Sequence, residues 1–505
     1  MKGRLLKGML ALGSISFCCF LMGSAADSAP APQILKPTFY KDVLPILQNN
    51  CQSCHRAGEV APMSLITYEE TRPWAMAMKL AVTTQKMPPW YADPQYGHFS
   101  NERKLTPLDL RTIIAWADTG APAGDPKDKP APLTFVDGWN IGKPDRVLEM
   151  PIAYNVPAQG TVDYQYIVIP GGFTEDTWIR AAEVRPGNRK VVHHVIAFIR
   201  GPESKWMRDV KPGEFFVPKK EKEDDQQEGG TNNQANKNQA QAGDNQQSTA
   251  NQQPANANQQ RPQRRRGDIG ELLVGYAPGL QALDLKNGEA KLIKAGSDIV
   301  FQLHYTANGI AGSDQTKIGL VYAKEPAKIR IVQLAASNPG FKIPPNDPNY
   351  EVKSQVLLQE TVTLADLMPH MHFRGKDFVY VAIYPDGHQE TLLSVPKYDF
   401  NWQLGYQLAK PIVLPKGTRI ECTAHFDNSI NNPYNPDPTQ TVKWGDQTWE
   451  EMMIGWFSVE VDPKASTANL VKFEKPGTRT PPDQPSAEQP KPAGATSGST
   501  GSSQR

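Results

Sequence analysis

Cysteine is scarce. The 505 residues include five, and two of these, Cys18 and Cys19, fall inside an N-terminal segment with the marks of a secretory signal. The other three are Cys51, Cys54 and Cys422. Two of them are spaced for a cofactor and the third has no partner, which excludes a disulfide framework for the single mature chain. Long apolar runs are also few. MLALGSISFCCFLM is 14 residues long, lies behind Lys2, Arg4 and Lys7, and is followed by the small residues SAA. A spanning helix needs about 20 apolar residues, so 1–26 reads as a cleaved signal peptide. The expectation is an exported chain, periplasmic or secreted, with no transmembrane segment after cleavage. Nor does the charge lean to one side. With 54 Lys and Arg against 53 Asp and Glu and no long basic stripe, no dedicated nucleic-acid partner is expected.

What is present changes character along the chain. Residues 38–125 carry helical patterning, as in YKDVLPILQNN and LTPLDLRTIIAWADTGAPAGD, with Thr106 placed to cap the second helix and Gly120 and Pro122 to end it. A Pro-rich linker over 126–139 follows. From about 140, short β-branched runs broken by Pro-Gly and Asn-Gly signals predict antiparallel strands: YQYIVIPGG, VVHHVIAFIR, SDIVFQLHYTANG and KIGLVYAKEP. A second set begins near 328 with KIRIVQLAA, QVLLQETVTL, DFVYVAIYPDG, RIECTAHF and MMIGWFSVEV. The expected fold is multidomain, a small α-helical domain followed by two antiparallel, jelly-roll-like β-sandwiches in series over 140–327 and 328–465. Residues 219–266 are Asn- and Gln-rich with almost no large apolar groups, and read as a disordered insertion in the first sandwich. Residues 466–505 read as a disordered tail for the same reason.

The strongest short motif is CQSCH, Cys51 to His55. Two thiols at this spacing can form thioethers to both vinyl groups of one haem, and the adjacent His55 then falls beneath the iron as proximal ligand. Zinc is the competing reading, but a zinc site needs about four ligands and no further cysteine lies nearby. Covalent haem c is therefore expected. Met87, 32 residues beyond His55 in QKMPPW, is the favoured sixth ligand. Met63 is close in sequence to His55, and Met76 and Met78 sit on a helix where packing is the usual fate of methionine. With an axial methionine the haem has no open position and suits electron transfer. The stretch resembles the small cytochrome c domains of exported bacterial multidomain proteins.

Nine histidines leave eight beyond the haem motif. KVVHHVIAF sets His193 and His194 side by side in a strand, where successive side chains point to opposite faces. Two such imidazoles reach one metal only where the strand ends or bulges; otherwise one is a buried structural histidine and the other solvated. FQLHYTANG places His304 just before a turn. PHMHFRG places His370 and His372 two apart, on one side of a strand with Met371 opposite. EEMMIGWF supplies Met452 or Met453. Imidazoles with a thioether suit copper cycling through its softer reduced state.

In this order the motifs HH, QLHY, HxH with a following Arg-Gly, and EEM resemble the copper type II, ascorbate-dependent monooxygenases. That family includes peptidylglycine α-hydroxylating monooxygenase and dopamine β-monooxygenase, and the resemblance spans roughly 140–465. It implies an electron-transfer copper held by His193, His194 and His304, and an oxygen-binding copper held by His370, His372 and Met452, which follows the glutamate as in the family. It also implies hydroxylation of a C–H bond with dioxygen and two electrons from an external donor, on a small-molecule or peptide substrate. Separately, the attached haem motif leads us to expect the haem as relay. The animal enzymes carry several disulfides and no haem domain, so substrate-reading residues do not carry over. A non-catalytic electron-transfer or copper-binding protein is the alternative, and a carbohydrate-binding or adhesion module a third. His425 reads as structural, and His98 and His388 as solvated turn residues.

Overall fold

The computed structural model describes residues 36–478 apart from positions 60, 136, 137, 219–269 and 287. The signal segment, the Asn/Gln-rich insertion and the end of the C-terminal tail lie outside the described residues. Regular structure in the described chain is mainly β-sheet, with 36% of residues in strands and 11% in helices. Among the described residues no helix is long and apolar enough to cross a membrane.

The helical patterning of 38–125 produces a small unit with its own core. Its longest helix, Pro107–Asp118, begins as the sequence indicates. Thr106 Oγ1 accepts from the Asp109 N–H at 3.1 Å, and the Asp109 carboxylate accepts the Thr106 N–H at 3.1 Å. This reciprocal cap is worth about 1 kcal/mol, and Pro107 fits the first turn, where its missing N–H costs nothing. Gly120, at φ +86°, ends the helix in a left-handed conformation that a Cβ would oppose. The apolar face carries the fully buried Trp116, whose Nε1 donates to Pro122 O at 3.0 Å, and packs it on Phe39, Leu44, Leu47 and Leu65. Each such side chain contributes roughly 1.5–3 kcal/mol by leaving water.

This unit is not an independent bead. Beyond Met87 the chain runs over the second β unit: Trp90 meets the ring of Tyr406 at 4.9 Å, Phe99 bridges to Leu408, and Asp93 N donates to Ser394 O at 2.8 Å.

Two β-sandwich cores follow, with a difference from the expected arrangement in series. Each core has a private five-stranded sheet. The first runs Phe215–Phe216, Gln165–Ile169, Asp298–Tyr305, Val192–Arg200, Glu271–Tyr276 in spatial order. The second runs Gln389–Val395, Gly375–Ile383, Arg419–Phe426, Tyr350–Leu358, Val471–Glu474. The opposing layer of both cores is one continuous nine-stranded sheet. Its halves join where Ile329–Ser337, the first strand of the second unit, pairs in parallel with Glu289–Ile293 of the first. Alternation reports which face of a strand is buried, not which strand lies beside it, so this seam left no trace in the pattern.

Two boundaries also move. The expected tail from 466 is not featureless at its start: Val471–Glu474 closes an edge of the second private sheet, with Arg419 Nε donating to Glu474 at 2.8 Å. The strand expected over MMIGWFSVEV begins at Ile454, so Met452 and Met453 precede it. His370 ends the strand Val362–His370, and His372 lies in the turn beyond.

Candidate metal centres

The first cluster is built by a backbone irregularity. Val192–Arg200 and Asp298–Tyr305 are antiparallel neighbours, with His304 opposite His194 and Tyr305 opposite Val192. His193 is therefore the extra residue of a β-bulge. Without it, adjacent side chains would straddle the sheet. With it, both imidazoles meet His304 on one side. Ring centroids are 5.4 Å apart for His193–His194, 5.0 Å for His193–His304 and 4.9 Å for His194–His304. One ligand nitrogen from each lies within 4.8 Å of those of the other two.

Imidazole nitrogens sharing an ion at about 2.0–2.1 Å lie no more than about 4 Å apart, so a small inward movement would close the triangle. His193 Nδ1 and His194 Nδ1 already approach to 3.1 Å. The His304 Nδ1 is buried without a hydrogen-bond partner, which costs about 1–3 kcal/mol unless something binds there. Burial pushes the His193 pKa down to about 4 and lowers His194 and His304 further, each imidazole disfavouring a charge on its neighbours. All three are neutral at pH 7, the form in which imidazole binds metal.

The second cluster uses the end of a strand. His370 Nδ1 contacts Gln403 Oε1 at 2.9 Å, and His372 Nδ1 contacts Glu450 O at 3.1 Å. An acceptor at each Nδ1 fixes the proton there and leaves each Nε2 with its lone pair free, the usual arrangement behind a metal-bound histidine. The His372 Nε2 is buried and unpartnered. The two rings stand 5.3 Å apart at 89°.

Glu451 organises this turn, accepting the backbone N–H of His372 at 2.9 Å and of Arg374 at 2.7 Å. Burial pushes its carboxyl up to about 8 against those donors and the Arg374 guanidinium. Strand register pairs His370 with Ile454. Met452 and His372 each lie two residues beyond that last pair. Met453 belongs to the second hydrophobic core, whereas Met452 is buried outside it.

The two clusters share a wall. The Tyr164 ring lies 4.6 Å from His304, 5.3 Å from His194 and 6.5 Å from His372. Phe400 stacks on His193 at 5.4 Å and meets His372 at 5.9 Å. Four imidazoles from two sandwiches thus meet one aromatic partition, with His370 behind His372. Tyr164, Phe400, Gln403 and Glu451 had no assigned role in the sequence. Only Glu451 carried a signal, through its place in the EEM motif.

In the helical unit, Cys51 follows the helix Leu44–Asn50, and a tight turn returns the His55 N–H to Cys51 O at 2.9 Å. Cys51 and Cys54 are unbridged, and burial pushes the Cys51 thiol up to about 12. Burial lowers the His55 pKa, and its Nδ1 has no hydrogen-bond partner. The residues present therefore fit a covalently attached haem. Met87 is half-buried and belongs to no core cluster, whereas Met63 and Met78 pack on the core that Cys51 also borders. Met76 is exposed. His425 is held by Asp377 at 2.7 Å, a structural role as expected, and His98 and His388 are exposed.

No protein-family model matches the chain, and no curated protein matches it. Solved structures with some similarity include that of the infectious bursal disease virus Gx strain, at 11% identity over 65% of this chain and 76% of that one, with a TM-score of 0.16. Another is the infectious bursal disease virus VP2 subviral particle, at 12% identity over 66% and 74%, with a TM-score of 0.15. Scores this low carry no weight for fold or function.

Proposed function

We propose that this chain is an exported copper- and haem-containing monooxygenase that hydroxylates a C–H bond of an organic substrate with dioxygen. The observation that supports it best is the meeting of two sets of histidines, four of the five buried, across Tyr164 and Phe400, with the His304 Nδ1 and His372 Nε2 unpartnered. His193, His194 and His304 would hold one ion, and His370, His372 and Met452 the other. Copper, when bound, supplies one-electron redox chemistry and the means to activate dioxygen.

The chain's own contribution is positional. Gln403 and the Glu450 carbonyl hold the His370 and His372 rings with Nε2 presented. Glu451 fixes the turn beyond His370, and the Tyr164 ring stands between the two sets, in contact with His194 and His304 on one side and His372 on the other. The thiols of Cys51 and Cys54 and the imidazole of His55 would hold the haem, with Met87 as the favoured sixth ligand. A haem closed on both faces passes electrons and does not bind oxygen.

Elemental analysis of the exported, haem-matured, copper-loaded protein tests this reading. One iron and two copper ions per chain are expected, with His193→Ala and His370→Ala each losing one copper. One iron without tightly held copper would overturn it and leave a cytochrome joined to two β-sandwiches.

A further inference from the structure

The loop carrying the CQSCH motif does not face solvent. Glu59, four residues beyond His55, accepts from Arg56 of its own loop at 3.0 Å and also binds the guanidinium of Arg189 in the first sandwich. The Glu59 and Arg189 side chains keep only 18% and 17% exposure, so this ion pair is enclosed between the two units. Arg189 in turn sits over the ring of Tyr276, its Cζ 5.6 Å from the centroid. The phenol oxygen of Tyr276 and the Nε of Arg56 are both buried without partners.

Tyr276 occupies a telling position. It ends the strand Glu271–Tyr276, where its register partner is Val195, the residue after His194. Antiparallel partners sit about 5 Å apart at Cα, and consecutive residues about 3.8 Å. The Tyr276 and His194 backbones are thus diagonal neighbours about 6 Å apart, with one strand pairing between them.

Given the copper–haem reading above, on which this rests, we propose that the Glu59–Arg189–Tyr276 contact is the internal electron-entry interface. Cys51, Cys54 and His55 would hold the haem and His193, His194 and His304 the copper, so that one electron would pass across this contact from ferrous haem, leaving it ferric, to cupric ion, leaving it cuprous. The ion pair is the clamp that holds the haem-bearing loop against the neighbouring strand, and Arg189 and Tyr276 are positioning residues. The electron reaches the haem from an external one-electron reductant.

Flash reduction of the ferric, cupric holoprotein by a photoreduced flavin, without substrate or oxygen, tests this directly. Reduced-haem absorbance should decay by a first-order process independent of protein concentration, together with loss of the cupric paramagnetic signal. Arg189→Glu should slow that decay at least tenfold with iron and copper counts unchanged. The exchanged pair Glu59→Arg with Arg189→Glu should return it to within about threefold of the parent. Should Arg189→Glu fail to fold, Glu59→Gln is the second variant, expected to slow the decay in the same direction. A wild-type rate in the single variant, no recovery in the exchanged pair, or decay that scales with protein concentration overturns the interface alone. A parent protein lacking haem or copper overturns the proposed function and the interface with it.

Discussion

The two histidine sets reach the same result by different backbone devices. In the first sandwich one extra residue in a strand turns His193 and His194 to the same side, and the three rings press against one another with the His304 Nδ1 unanchored. In the second sandwich no bulge is needed, because the strand stops at His370 and the turn delivers His372, each ring being tied back by an oxygen acceptor at Nδ1. The first set is held by packing and mutual contact, and the second by hydrogen bonds from outside the set. A site held by packing tolerates loss of any single polar neighbour. A site held by specific acceptors does not.

The largest effect should come from removing a ligand. His372→Ala should weaken copper at the second set by more than the roughly 10–100-fold typical of losing a supporting group, and abolish turnover. Copper at the first set should stay, because those three histidines sit on strands of the other private sheet. Isothermal titration with copper would read both sites at once, and joint loss would break the picture of two separately built sets.

Acid stability of the apoprotein comes next. Unfolded histidine takes its proton near pH 6.5, whereas folded His193 and His372 do so only near pH 4 and 3. Above pH 6.5 both states are neutral and stability is intact. As pH falls below 6.5 the unfolded chain binds protons that the folded chain refuses, and stability drops until the folded values are passed. By pH 5 His193 alone should account for a loss of about 2 kcal/mol. The urea midpoint of apoprotein at pH 7 and 5 reads this. Equal midpoints would mean that the histidines are not buried neutral as the structure has them.

Much of the architecture is legible in the amino-acid pattern. Thr106 and Gly120 bound a helix, and the β-branched runs mark strands, because caps and alternation are local signals. The metal sets are legible as pairs and as an order of motifs. Their meeting is not. The bulge at His193 depends on what Asp298–Tyr305 does opposite it, and the partition by Tyr164 and Phe400 joins residues more than 200 positions apart. The shared nine-stranded sheet stays hidden for the same reason, since strand order is fixed by pairing across the chain.

Gln403 isolates the contrast between the two devices. Gln403→Leu keeps the side-chain volume close but removes the oxygen beside His370 Nδ1. Copper affinity at the second set should fall about 10–100-fold, with the first set unchanged. A matching loss at both sets would show that Gln403 acts through general packing instead.

The smallest effect separates the two adjacent methionines. Met453 sits fully inside the second hydrophobic core, and a leucine there conserves volume and polarity. Met453→Leu should therefore shift stability by less than about 1.5 kcal/mol and leave copper binding untouched. Met452 is buried outside that core, beside the turn that Glu451 fixes. Met452→Leu should leave the thermal midpoint nearly unchanged while removing the sulfur contribution to X-ray absorption of cuprous protein at the second set. If the sulfur signal instead survives in Met452→Leu and disappears in Met453→Leu, the strand continues its alternation differently past Ile454 when metal binds, and the ligand is the methionine that the apo core holds.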